Sequence, residues 1–199
     1  HMHLSYEGQL AAKTGHVKSC LKKFSGTDIT PLPCIPSPSP LNYRNKISLP
    51  VEFDGGVKIG CYKKRSHHVF SDIVALLRSF IREYKISVYN EVTHRGLLRH
   101  IVLRTSAAGD IMLGLVINGK ALPHSDELVS LLNGRFPAVK TAVLNINTEK
   151  GNVILGRTTL PLFGSGRIRE RILSREFDIS LNTFLQVNHA QTENMYSYA

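Results

Sequence analysis

Apolar residues recur along this chain in two rhythms, one with the period of a helix and one with the period of a strand. Over residues 5–24, Tyr6, Leu10, Val17, Leu21 and Phe24 share one helical face, while Lys18, Lys22 and Lys23 fall outside it. Ser5 is placed to cap this helix and Gly26 to stop it. The next stretch, "PLPCIPSPSP" (31–40), holds five prolines in ten residues and predicts a stiff, extended connector. Ile47, Leu49, Val51 and Phe53 then alternate, as do Val57, Ile59 and Cys61, and Asp54-Gly55-Gly56 between them predicts a β-hairpin. A second helix is predicted over 71–84 from Ile73, Leu76, Leu77, Phe80, Ile81 and Tyr84, opened by Ser71 and Asp72.

A second hairpin follows, "LLRHIVLRTS" and "DIMLGLVING" turning at Ala108-Gly109, and then a third helix over 125–133 with Ser125 as its cap and Gly134 as its stop. "VKTAVLNINT" and "NVILGRTTL" read as a further strand pair turning near Glu149-Lys150-Gly151. Asn188, three residues before Gln191, has capping-box spacing and opens a last helix with Met195, Tyr198 and Ala199 on one face. Hairpins with intervening helices predict an α+β fold with a mostly antiparallel sheet, not a βαβ series.

Four stretches result. Residues 1–2 read as a cloning scar, 3–40 as the first helix with its connector, 41–188 as a central α+β domain, and 189–199 as the start of a helix. The apolar stripe of that last helix stops without a glycine or a basic residue, so the chain is expected to be truncated ahead of a further domain. With 199 residues, 42% of them hydrophobic, a core can be buried. No apolar run approaches the ~18 residues of a membrane span, so no membrane partner is expected. Cys20, Cys34 and Cys61 are odd in number and widely spaced, which argues against a disulfide framework and for a reducing compartment.

Charge changes the picture. Twenty-five Lys and Arg against fifteen Asp and Glu leave +10, a balance that suits a polyanion. The cations cluster in "YRNK" (43–46), "YKKRSHH" (62–68), "HRGLLRH" (94–100) and "RIRER" (167–171), three of them with Tyr or His alongside, a mixture fitted to phosphates and stacked bases. No nucleotide-binding glycine fingerprint, HExxH or nucleophile elbow occurs. "LFGSGR" (162–167) does not join a strand to a helix and reads as an ordinary loop. His67, His68, His94 and His100 lack carboxylates or thiols at metal-site spacing and read as surface or sheet-edge polar residues.

The strings "NYRNKISLPV", "IGCYKKRSHHV", "GLLRHIVLR", "VLNINTEKGNVILGR" and "FDISLNTFLQVNHAQTENMYSYA", in this order, resemble the central part of the RNA (uracil-5-)-methyltransferase family over nearly the whole chain from Leu4 to Ala199. The resemblance implies a parent enzyme that methylates C5 of a uridine in 23S ribosomal or transfer RNA with S-adenosylmethionine. In that family the helix after the QVN motif leads into a Rossmann-like methyltransferase domain, which supplies the cysteine thiolate that adds at C6 and the base that removes the C5 proton. The chain alone is therefore expected to be inactive and not to hold the cofactor stably. By motif match, Gln186 resembles the glutamine at the cofactor and target-base site, and Phe184 the aromatic that packs on the displaced nucleotide, with a buried strand position as its alternative.

Arg44, Lys46, Lys63, Lys64, Arg65, Arg99 and Arg104 are candidate RNA contacts. Strand alternation puts Arg99 with Ile101 and Leu103, and Leu98, His100, Val102 and Arg104 on the other face, so one of the two arginines is expected to be structural. Many relatives hold a 4Fe-4S cluster whose fourth cysteine follows the "RSHHV" stretch. Here "RSHHV" runs into "FSDIVALL" without a cysteine, and although the parent could carry a cluster, none is expected in this chain. A cytoplasmic monomer that contributes RNA recognition to the parent is the expectation. The alternative is a stand-alone, non-catalytic RNA- or ribosome-binding module.

Overall fold

The structure, a computed structural model, describes residues 3–60 and 68–198. The chain divides after Tyr43 into two compact units. In the first, helix α1 runs Tyr6–Ser25. Ser5 Oγ accepts the Gly8 N–H at 3.1 Å, and Gly26, at φ 69°, returns its own N–H to Lys22 O, a left-handed stop that glycine makes without strain. The proline-rich segment is tied to the helix by its few free amides: Cys34 N–H donates to Thr14 Oγ1 at 3.0 Å and Ser37 N–H to Tyr6 Oη at 2.6 Å. Prolines supply no N–H donor, so backbone donation from such a segment comes only from its other residues.

The second unit carries β1 (Lys46–Phe53), β2 (Val57–Ile59), α2 (His68–Glu83), β3 (Leu98–Thr105), β4 (Ile111–Ile117), α3 (Ser125–Arg135), β5 (Val139–Ile146), β6 (Thr158–Phe163), β7 (Ile168–Ile172), β8 (Arg175–Ile179) and α4 (His189–Ser197). Six strands form one sheet in the order β2-β1-β3-β4-β5-β6, and β7 and β8 form a separate antiparallel pair. The large sheet is antiparallel except between β4 and β5, which run parallel through α3. The mostly antiparallel expectation therefore needs one amendment, a single βαβ unit in the centre.

Element boundaries differ from the sequence reading at four places. The second helix begins at His68, so Ser71 and Asp72 lie inside it. The third is preceded by His124 in the left-handed region (φ 59°), and Gly134 lies within its last turn. The strand expected in "NVILGRTTL" starts at Thr158, because Asn145 and Asn147 hold the preceding residues as a loop. The β7–β8 hairpin falls in the charged "RIRER" and "REFD" stretches, where Ile168, Ile172 and Ile179 alternate with arginines.

Both faces of the large sheet are covered. One core cluster joins Ile73, Leu77 and Phe80 of α2 and Leu128 and Leu132 of α3 to Ile101, Leu103, Leu113 and Leu115. On the opposite face, Val102, Met112, Val116 and Val143 pack against Ile168 and Ile179 of the small hairpin and against Leu181. Strand β4 is accordingly buried along its whole length, as a strand covered on both sides must be. Gly114 makes room for the second layer: a Cβ there would lie 2.5 Å from Leu181 Cδ1.

Candidate nucleic-acid interface

The face away from α2 and α3 carries Arg44, Lys46, Phe184 and Gln186 of the residues the sequence marks for binding. Just ahead of β1, Arg44 lies opposite Asn188 in an antiparallel bridge. The buried Asn45 gives its N–H to Val187 O at 3.0 Å and its side-chain Nδ2 to Gln186 O at 3.2 Å, while its own carbonyl accepts from Thr105 N–H. One asparagine thus fastens the QVN segment to the edge of β3. Gln186 is left with an exposed side chain on a backbone fixed by these bonds.

Upstream, residues 180–183 form a tight turn in which Ser180 N–H donates to Thr183 Oγ1 at 3.1 Å. Arg104 Nη1 reaches the turn from β3 and donates to Ser180 O at 2.9 Å and Thr183 O at 2.7 Å. Phe184 follows immediately and is 83% exposed. Leaving a phenylalanine in water forgoes about 2 kcal/mol of burial, and here the backbone carrying it is clamped by a buried charged group. The buried-strand alternative for Phe184 does not hold.

Arg104 itself is 1% exposed and Arg99 2%; of the two candidate RNA contacts one was expected to be structural, and burial makes both so. Arg99 Nη1 donates to Asn147 O and Glu149 O, its guanidinium lies 4.3 Å from the Tyr89 ring centre, and Nη2 is 3.7 Å from Glu91 Oε1. Both arginines use backbone carbonyls as partners, and a guanidinium suits this because its donors are fixed in a planar fork. Strict alternation also fails at the start of β3: the pairing with β4 shifts register between Leu98 and His100, and Leu98 joins Ile101 and Leu103 in the helix-side core.

Lys46 pairs with Arg104 in the β1–β3 register. Burial, and then the neighbouring Arg104 charge, hold the Lys46 ammonium below its usual range. Burial likewise lowers Arg104, with the Glu170 carboxylate working in the opposite direction. Glu170 is buried on β7, where Oε1 accepts from Ala107 N–H at 3.1 Å and Arg171 N–H at 2.9 Å. His189 Nδ1, at the start of α4, lies 3.6 Å from the same oxygen. Helix α4 is capped as the spacing predicts, with Asn188 Oδ1 accepting Gln191 N–H at 3.0 Å.

The site therefore brings together Arg44, Lys46, Phe184 and Gln186, and excludes Arg99 and Arg104 as direct contacts. Lys63, Lys64, Arg65 and Cys61 lie outside the described residues. Asn45 and Glu170 are organising residues that the sequence reading missed. Asn45 stands inside the "YRNK" cluster but acts on a segment 141 positions away, and Glu170 occupies the inward position of an Ile-Arg-Glu-Arg-Ile alternation. Among the described residues no group of three or more His, Cys, Asp or Glu could hold a metal ion, and no helix is long and apolar enough to cross a membrane. An exposed aromatic and an exposed amide, with exposed Arg44 and half-buried Lys46 in the neighbouring segment, are groups whose chemistry suits a nucleobase and its phosphates.

No protein-family model matches the chain. A Clostridium acetobutylicum protein named an uncharacterized RNA methyltransferase is 38% identical over 214 residues, covering 99% of this chain and 46% of that protein. An uncharacterized RNA methyltransferase of Clostridium tetani is 36% identical over 211 residues, again covering 99% of this chain and 46% of the relative. The chain is homologous to RNA methyltransferases. It spans just under half the length of these curated relatives, and the homology takes in both of its compact units. Among solved structures, Pyrococcus abyssi tRNA (uracil-54, C5)-methyltransferase in complex with S-adenosyl-L-homocysteine is similar at a TM-score of 0.74 and 26% identity, covering 99% of this chain and 48% of that one. The mixed sheet and its helices are thus shared with part of an RNA methyltransferase.

Proposed function

We propose that this chain is the RNA-recognition part of an S-adenosylmethionine-dependent RNA uridine C5-methyltransferase. The observation that carries the reading is the exposed Phe184, held on a turn that the buried Arg104 clamps through two carbonyl bonds. Phe184 stacks on the displaced base, Arg44 and Lys46 contact phosphates, and the exposed Gln186 amide, able to donate and accept at once, faces the base and the edge of the cofactor. Basic residues of the 63–65 stretch extend the phosphate contacts. S-adenosylmethionine, bound in the parent enzyme, supplies an electrophilic methyl group. Gln186 fits one edge of it, on a backbone that Asn45 fixes, and the remainder of the cofactor pocket, the thiolate and the base belong to the other half of the parent. This chain alone then transfers no methyl group.

Uridine in 23S ribosomal RNA is the substrate on the sequence reading. The transfer RNA activity in the name of the structural neighbour favours transfer RNA as a second reading. A salt-titrated binding assay against uridine-containing hairpins from each RNA class and a matched DNA duplex, with methyl transfer followed in the same tubes, tests the proposal. RNA-preferring binding is expected, with the logarithm of the affinity falling linearly with log salt at a slope of about 0.7–0.9 per phosphate contact, together with no methyl transfer. Equal binding to the DNA duplex would overturn the recognition role, and methyl transfer would overturn the division of labour.

A further inference from the structure

The loop of residues 147–157 between β5 and β6 receives more buried polar support than an exposed connection requires. Asn145, Asn147 and Arg99 are 0%, 3% and 2% exposed, and all three direct their side chains at this loop. Arg99 Nη1 donates to Asn147 O at 2.9 Å and Glu149 O at 2.8 Å. Asn147 Nδ2 donates to Val153 O at 2.7 Å and Ile154 O at 3.0 Å, and its Oδ1 accepts Glu149 N–H at 3.2 Å. Asn145 exchanges two bonds with Gly156, Nδ2 to O at 3.0 Å and N–H to Oδ1 at 2.7 Å. Gly156 lies so close to β5 that a Cβ would sit 1.8 Å from Ile146 O. Buried polar groups are costly unless bonded; Arg99 Nε has no partner among the described residues, but the other bonds fix the shape of a surface element, as binding loops on rigid scaffolds require.

The tip so fixed is exposed and suited to single-stranded RNA. Lys150 and Asn152 are exposed, and Val153 is 65% exposed: a cation for a phosphate, an amide for a base edge, and an apolar surface for a sugar or base. The loop is continuous with the Phe184 segment. Asn182 Nδ2 donates to Gly156 O at 3.2 Å, and Ile154, Leu155 and Leu185 pack on the same core cluster.

We propose that this loop is a second contact element for the RNA, holding the nucleotides that flank the base at Phe184, with Lys150 on a phosphate and Asn152 reading a flanking base. The proposal rests on the function proposed above. Arg99, Asn145 and Asn147 act as positioning residues for the loop.

The test is hairpin binding by the chain carrying Lys150→Ala, Asn152→Ala, both together, or Phe184→Ala, with Lys120→Ala as a charge control and thermal unfolding of each as a check on folding. The double variant is expected to bind about tenfold more weakly at unchanged unfolding temperature, Lys150→Ala to reduce the salt slope by about 1, and Asn152→Ala to level the affinities of hairpins differing in the nucleotides flanking the uridine. Wild-type affinity in the double variant, alongside weakened binding in Phe184→Ala, would overturn the loop proposal and leave the site reading standing. Wild-type affinity in Phe184→Ala as well, or no RNA preference in the unsubstituted chain, would overturn both.

Discussion

The two faces of the large sheet are built on different principles. The face under α2 and α3 is held by a large apolar cluster, mainly Leu, Ile, Val and Phe packed against one another. The opposite face combines a smaller apolar cluster with buried Asn45, Arg104, Asn145, Asn147 and Glu170, each bonded to the backbone of a neighbouring segment. Non-directional packing holds the first face together and leaves little for a ligand to read. Directional bonds on the second fix particular exposed residues in place, and Phe184 is one of them. On the proposed function, stability and recognition are thus separated by the thickness of one sheet.

Cutting into the helix side should move stability most. Leu113→Ala removes a fully buried side chain and is expected to cost about 3 kcal/mol, read as a lowered denaturation midpoint, with RNA affinity per folded molecule unchanged. Arg104→Ala leaves the carbonyls of Ser180 and Thr183 without their donor and is expected to cost about 2–3 kcal/mol. It should also weaken RNA binding about tenfold, which titration of the folded variant would show. Weakened RNA binding in Leu113→Ala, or intact binding in Arg104→Ala, would break the division between the faces.

Gly114→Ala forces a methyl group onto Leu181 and is expected to cost about 1–2 kcal/mol. Pairing it with Leu181→Val should return part of that loss in a double-mutant cycle. Asn188→Ala, which removes the α4 cap, should cost about 1 kcal/mol by chemical denaturation.

The smallest effect is a pH dependence. Burial first, and then the Arg99 charge, push the His100 imidazole below its usual range, with Glu91 opposing. The unfolded chain therefore takes up the proton more readily than the folded one, and His100 contributes a loss of stability as pH falls from about 6.5 toward its lower folded value. His100→Gln should flatten that acid branch, compared by denaturation at pH 7.5 and 5.5. An unchanged pH slope would remove His100 from the account.

Elements with strong, uninterrupted rhythm were legible from the residues. The α1 caps at Ser5 and Gly26, the β1–β2 and β3–β4 hairpins and the Asn188 cap are local, and each depends on residues within a few positions of one another. The β7–β8 hairpin was missed because its alternation is carried by isoleucines among arginines and one buried glutamate. The parallel β4–β5 pairing could not be read because both strands are apolar runs, which fit a parallel or an antiparallel neighbour equally well. Phe184 and Gln186 were singled out through family resemblance and both are exposed, whereas the inward placement of the arginines could not be read. A guanidinium looks the same in sequence whether it meets a phosphate or a backbone carbonyl.

The residues by themselves determined a basic α+β chain with hairpins, capped helices and a QVN segment of RNA-methyltransferase type, because propensity, capping and turn chemistry act over a few bonds. Tertiary structure alone decided that Arg99 and Arg104 face inward, that Asn45 fastens Gln186, and that Gly114 admits Leu181. Those outcomes depend on which carbonyls and side chains arrive from segments dozens of residues away, and a buried polar group takes its role from the partner that satisfies it.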